Sequence, residues 1–312
     1  MAAASSLPRA LFDPSHSSKM LRQTTCMLRV QRCGVVQITA SRLDEFVRAE
    51  ISLLARQSSR PLRPKTLHEM VHLPGSQVGQ LVHEELPVRF ARRIKQIERI
   101  KAWQSIPELV SLHAMHTRSF SEVRMADPSD LEGYPQAIFK IRHRHKTIGP
   151  LFAEALRRVS FEALRLRQLQ PGELAEDESQ PDHESVELWA ETFLQSRVWT
   201  EMLMSHYVIC AEDTKLAATG ESVFGQTKIG IIDWECDPWE ICQLVVTQLE
   251  EGPCPVAFSL ENLSGAIRLC YAPRYLFFIL EELLSNSARA TADAASAHPI
   301  RIAICADDHQ VT

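Results

Sequence analysis

The hydrophobic period of this chain changes once along its length. From Ser41 to about Tyr207 apolar residues recur at three- and four-residue steps, the period of helices that bury one face. After Thr214 short alternating stretches are interleaved with helical ones. A chain patterned this way must build two kinds of layer, helix on helix first and helix on sheet afterwards. Its 312 residues, 45% of them hydrophobic and 23% charged, are enough for two cores.

In the first part, Phe46, Ile51 and Leu54 mark a helix that Ser59-Arg-Pro-Leu-Arg-Pro64 interrupts. Helices are expected over 66–71 and, briefly, 78–85. A long one starts after Pro87, with Phe90, Ile94, Ile97 and Ile100 on one face and arginines on the other. Further helices fit 107–125, 136–143, 150–169 and 186–211, and the acidic run 172–184 separates the last two as a solvated loop. Four long helices joined by loops make a bundle. In the second part, 228–233, 265–271 and 300–306 read as strands, 238–250 as a helix begun by Asp237 at its N-cap, and 275–295 as another helix. The expected fold is α plus α/β: a tail over 1–42, a helical bundle over 43–212 and an α/β segment over 213–312.

Composition excludes several functions. A formal net charge of -5, with no basic stripe interleaved by aromatics, argues against nucleic-acid binding. No apolar run approaches the length of a membrane span. The eight cysteines include no CxxC pair and read as reduced, structural thiols. His68/His72, His113/His116 and His143/His145 have spacings that could hold a metal, but no carboxylate or cysteine set accompanies them, so they read as surface residues. Gly75/Gly79 and Gly220/Gly225/Gly230 lack the Lys-Ser/Thr sequel of a phosphate-binding P-loop. The tail carries Arg9, Lys19, Arg22, Arg29, Arg32 and Arg42 against Asp13 and Asp44, the composition of a mitochondrial transit peptide, with Met20 as an alternative start. The other reading is a basic tail with no address.

Chemistry concentrates on the helix that begins near Tyr275. Glu282, Asn286 and Arg289 stand at i, i+4 and i+7 and share a face, while Leu276, Leu280, Leu283 and Leu284 are expected on the buried side. An amide oxygen such as that of Asn286 suits Mg²⁺, which prefers hard oxygen ligands and can take the rest from ATP phosphates and water. Glu282, one turn away, could accept the proton of an attacking hydroxyl. Arg289 could orient it or balance phosphate charge. The same stripe is also what the wet side of any half-buried helix looks like.

Glu282-Leu-Leu-Ser-Asn-Ser-Ala-Arg-Ala-Thr291, preceded by Tyr271-Ala-Pro, resembles the N-box of the mitochondrial protein kinases that act on pyruvate and branched-chain 2-oxoacid dehydrogenases. Ser59-Arg-Pro-Leu, Glu85-Leu-Pro-Val-Arg89 and Ile141-Arg-His-Arg-His-Lys-Thr-Ile-Gly-Pro150 resemble stretches of that family's helical regulatory domain, in the same order. Arg197-Val, with His206 beyond it, is similar to its late bundle helix. The resemblance runs from about Leu43 onward. It implies a four-helix bundle followed by a gyrase/histidine-kinase-type ATP-binding sandwich, and a matrix protein kinase that phosphorylates a serine of a 2-oxoacid dehydrogenase complex. It further implies docking on the lipoyl-bearing core subunit and a possible homodimer. Asn286 would bind Mg-ATP, Glu282 would be the general base, and Arg289 would support the site.

The sequence departs from that pattern in three places. Ser285 stands where the family usually has lysine, and Phe278 where several members place a histidine beside the glutamate. The aspartate-glycine-glycine turn and the glycine-rich lid, whose backbone N–H groups would cradle phosphates, do not follow the strand at 300–306. The chain is therefore expected to be a truncated member without detectable ATP binding. Its incomplete sandwich is expected to leave apolar surface exposed on the helices at 238–250 and 275–295. Two other readings compete: a non-catalytic module that docks on a lipoyl domain or a full-length kinase, and a relative of bacterial histidine kinases with His145 as phospho-acceptor.

Overall fold

The computed structural model describes residues 27–28, 36–37, 39–56, 65–169, 183–218, 227–252, 256–294 and 298–306. The transit-type segment, apart from its short strands and residues 39–42, lies outside the described residues, as do the breaker 59–64, the acidic run 172–182, Gly220, Gly225 and the turn after 306. The chain divides into two compact units, 1–53 and 54–312. In the first, β1 (Met27–Leu28) pairs antiparallel with β2 (Val36–Gln37), and α1 (Ala40–Arg56) begins.

The second unit opens with α2 (Leu67–Val71), a short helix held at its start by a reciprocal capping box. The Thr66 side chain accepts from the Glu69 backbone N–H at 3.1 Å, and the Glu69 carboxylate accepts from that of Thr66 at 2.8 Å. Five longer helices follow: α3 (Gly75–Glu98), α4 (Pro107–Met125), α5 (Gly133–Arg144), α6 (Ile148–Leu169) and α7 (His183–Ala218). α3 packs on α4 and α7, α6 packs on α4 and α7, and α5 leans on α4 and α7. Ile97, Leu109, Leu112, Phe152 and Phe193 share one core, in which the Phe152 and Phe193 rings stack with centroids 4.3 Å apart. Among the described residues no helix is long and apolar enough to cross a membrane.

α3 corrects the expectation of two helices divided at Pro87. Proline lacks the N–H that would bond residue i−4 and ordinarily ends or kinks a helix. Here Val78, Val82, Leu86, Phe90, Ile94 and Ile97 form one buried stripe through both halves, and that burial, at roughly 1.5–3 kcal/mol per side chain, outweighs the lost bond. The arginines of α3 are not all on a wet face either, since Arg93 is fully buried. α5 starts before the expected Gln136, and α7 extends past its expected boundaries at both ends.

Beyond α7 come β3 (Lys228–Ile229), β4 (Ile232–Cys236), α8 (Pro238–Glu250), β5 (Phe258–Asn262), β6 (Leu269–Tyr271), α9 (Pro273–Asp293) and β7 (Ile300–Ile304). The strand expected over 228–233 is a hairpin, with Ile229 opposite Ile232 and the chain reversing at Gly230 (φ 58°). A positive φ at the first of two loop residues is the glycine position of a II′ turn. β4 also pairs antiparallel with β6, the last three residues of the strand expected over 265–271. β5 has no counterpart in the sequence reading. It pairs parallel with β7 from Phe258–Ile300 to Asn262–Ile304, and such long-range pairing leaves little local trace. Asp237 caps α8 as expected, its carboxylate accepting from the Trp239 and Glu240 N–H groups at 2.8 and 3.4 Å. α8 and α9 pack together, and Val245, Val246, Leu284 and Phe277 join Leu260 and Ile302 of the parallel strands in one core.

Candidate functional site

α9 carries the three residues singled out by spacing. It begins with Pro273 at its first turn, and no side chain caps it. Leu284 and Ala288 are buried, while Phe277 and Leu280 pack against the α8 core. Glu282, Asn286 and Arg289 are all exposed on the opposite side. The Arg289 guanidinium reaches the Asn286 amide oxygen at 3.5 Å, so two of the three meet, and Glu282 lies one turn before them. Leu283, expected inside, is 59% exposed, because the buried face runs through 280, 284 and 288 and places 283 beside the polar stripe. Phe278, one turn before Glu282, is 58% exposed, so an apolar ring occupies the side of that carboxylate.

This arrangement offers one exposed amide whose oxygen Arg289 reaches, one exposed carboxylate and a cation on a single helix face. Among the described residues no group of three or more His, Cys, Asp and Glu could hold a metal ion together. A divalent ion at Asn286 would thus need phosphate oxygens and water for most of its shell, the habit of Mg²⁺ carried by a nucleotide. The residues fit that group.

Within the helical layer, α5 and α7 are joined by side chains that spacing did not reveal. Arg142 of α5 donates from Nε to Glu201 of α7 at 2.7 Å, and the same Glu201 oxygen accepts from the Ser205 hydroxyl at 3.1 Å. Burial and the nearby Glu201 carboxylate push the phenol of Tyr275, on α9, above its usual pKa, so it stays neutral.

Polar groups are also buried inside the helical layer. Arg93 donates to the Ser196 hydroxyl at 3.1 Å and to the Ser196 carbonyl and Thr200 hydroxyl, and burial beside Arg89 and Arg197 brings its pKa down to about 9. His145 Nε2 lies 2.9 Å from the Ser119 hydroxyl, and His116 is fully buried, its ring 5.4 Å from that of His145. Desolvation lowers the His145 pKa to about 3 and that of His116 well below normal. The surface reading holds for His68, His72 and His143 but fails for His116 and His145, which the apolar face of the bundle takes in. A buried His145 whose Nε2 is engaged by Ser119 is a poor phospho-acceptor. The described cysteines, Cys210, Cys236, Cys242, Cys270 and Cys305, are free thiols.

A layer of long helices, followed by small sheets under a helix pair that bears a carboxylate, an amide and a guanidinium, defines a mostly helical α plus α/β protein with one open polar stripe on α9. The family model described as mitochondrial branched-chain alpha-ketoacid dehydrogenase kinase matches residues 65–233, more than half of the chain. The chain belongs to this family of dehydrogenase kinases. Pyruvate dehydrogenase (acetyl-transferring) kinase isozyme 4, mitochondrial, is 24% identical over 286 residues in both Ictidomys tridecemlineatus and Homo sapiens, covering 81% of this chain and 61% and 62% of those proteins. The Arabidopsis thaliana pyruvate dehydrogenase (acetyl-transferring) kinase, mitochondrial, is 23% identical over 252 residues, 75% of this chain and 61% of its own. The chain thus spans a little over three-fifths of the length of these relatives. The matched region 65–233 ends before α9 begins.

Proposed function

We propose that this chain comes from a mitochondrial protein-serine kinase that phosphorylates, and so inactivates, a pyruvate or branched-chain 2-oxoacid dehydrogenase complex in the matrix. In this reading residues 43–212 form a four-helix-bundle regulatory domain and 213–312 part of a gyrase/histidine-kinase-type ATP-binding sandwich. The observation that carries it is the open stripe of α9, where Arg289 touches Asn286 and Glu282 stands one turn away. Asn286 would hold Mg²⁺ through its amide oxygen, and bound Mg-ATP would supply the phosphoryl group. Glu282 would accept the proton of a substrate serine, and Arg289 would hold the amide in place and offset phosphate charge. Docking on the lipoyl-bearing core subunit and a homodimer belong to the same proposal.

The second reading is a module that docks on the lipoyl-bearing subunit or on a full-length kinase without transferring phosphate. It is favoured by one observation: the family match covers residues 65–233, which hold the helical layer, and ends before α9. One experiment separates the two. The chain is mixed with Mg-ATP and the reconstituted dehydrogenase complex, and phosphoserine and core-subunit binding are both measured. Kinase activity predicts phosphorylation that falls about 10²- to 10⁴-fold in Glu282→Gln, together with Mg-ATP affinity lost in Asn286→Ala. Core binding with no phosphorylation by the unmodified chain would replace the kinase reading by the module.

A further inference from the structure

We propose that the cleft between the α3–α4 turn and α6 binds a small amphipathic molecule with a single negative charge, its apolar body laid against Ile106, Val159 and Phe161 and its anionic end at Lys101. This goes beyond the kinase reading and does not rest on it. The cleft holds about 540 Å³, within the span of roughly 300–1,000 Å³ usual for small-molecule sites. Its floor is an outcrop of the core of the helical layer. Ile106 and Val159 are buried there, and Ile100 packs against the same cluster. At its side Phe161 of α6 is 62% exposed, a ring that a bound apolar body would take out of water.

Charge and backbone select the ligand. Three cations and one carboxylate, Lys101, Arg157, Arg158 and Glu162, line the cleft. Both arginines are already matched, since Glu154 meets Arg157 at 2.7 Å while Glu154 and Glu108 meet Arg158 at 3.1 and 3.2 Å. Glu162 is answered by Arg165, 3.8 Å away. Lys101 has no acidic partner among the described residues, so the lining lacks one negative charge, and a second on the ligand would add repulsion from Glu162. The turn that carries Lys101 is one the chain does not adopt freely. Ala102 has φ 53° and ψ 30°, the one positive φ outside glycine among the described residues, and this region is unfavourable for an alanine. Its surroundings enforce it. The Ala102 carbonyl accepts from the Ser105 N–H at 2.9 Å and from the Ser105 hydroxyl at 2.7 Å. The Trp103 ring stacks on His113, whose Nε2 lies 3.0 Å from Glu98. Strain held this way in a cleft wall points to a built site, and a turn fixed before binding loses little on ordering.

Methyl NMR of the full chain, labelled at isoleucine, tests this with octyl sulfate as the probe and octanol and octyltrimethylammonium as its neutral and cationic counterparts. Octyl sulfate should shift the Ile100 and Ile106 methyl signals saturably and leave those of Ile138 and Ile304 in place. Octanol should move the same signals with about 3- to 5-fold weaker binding, the worth of one exposed ion pair. Octyltrimethylammonium should bind more weakly still. Lys101→Gln should bring octyl sulfate down to the affinity of octanol without changing octanol itself, and Phe161→Ser should weaken both about 5-fold. Unmoved Ile100 and Ile106 signals, equal binding of the three probes, or octyl sulfate binding unaffected by Lys101→Gln would each overturn the proposal. Neither nucleotide nor dehydrogenase complex enters the measurement, so its failure is separate from failure of the kinase reading.

Discussion

At the scale of single residues, the histidines this fold buries are held neutral. His206 is completely buried, with Cys210 Sγ 3.6 Å from its Nε2 and Gly230 packed so closely that an added Cβ would lie 2.5 Å from Nδ1. Desolvation brings its pKa down to about 4, beside about 3 for His145 and a strong lowering for His116. An unfolded chain takes up these three protons near pH 6.5, whereas the folded one refuses them until well below. Their contribution to stability is therefore complete above pH 6.5 and is lost as pH falls toward the folded values. Urea melts should show a midpoint that declines steadily from pH 7 to pH 5, with a slope of up to about 1.4 kcal/mol per pH unit for each imidazole. A flat profile would mean that these rings are already charged in the fold. Glu282, Asn286 and Arg289 were legible from spacing, because helix periodicity alone puts them together. Arg93 was not, since only the neighbours supplied by α7 decide that it is buried.

At the scale of elements, the starts of α4 and α8, each opened by a proline, were the most readable. The N-cap Asp237 and the proline after it mark the beginning of α8, and both do so through backbone N–H groups that are unpaired in every helix. Asp237→Ala should therefore cost about 1 kcal/mol, read as a lower denaturation midpoint at unchanged slope. The estimate includes no separate gain from Arg268, whose exposed guanidinium pairs with the same carboxylate. Asp237→Asn should keep most of the stability, because the amide oxygen can still cap. A substitution with no effect on the midpoint would show that packing of α8 alone sets its boundary. Pro87 is the opposite case: a strong local stop signal overridden because residues on both sides of it share one buried stripe. The hairpin at Gly230 and the strand β5 were misread or missed because their partners, not their own alternation, define them.

At the scale of the whole molecule, the apolar residues left outside on the α8–α9 pair are concentrated. Leu244 is 60% exposed, Phe278 58% and Leu283 59%, as the expectation of uncovered surface on these helices anticipated. Large exposed apolar groups on adjoining helices favour association. Phe278→Ser combined with Leu283→Gln should lower self-association in sedimentation velocity and reduce binding of a hydrophobic dye, without lowering the melting midpoint. If association is unchanged, that surface is not what drives it.

The sequence by itself determined the order of layers, the helical identity of nearly every long element, the cap of α8 and the polar stripe of α9, because each is a property of local period or of a few adjacent residues. Tertiary structure alone decided that α3 continues through Pro87, that β5 pairs with β7, and that His116, His145 and Arg93 lie inside. In each of these the deciding energy comes from groups far apart in the chain, and burial or a directed hydrogen bond between them outweighs what the local residues prefer.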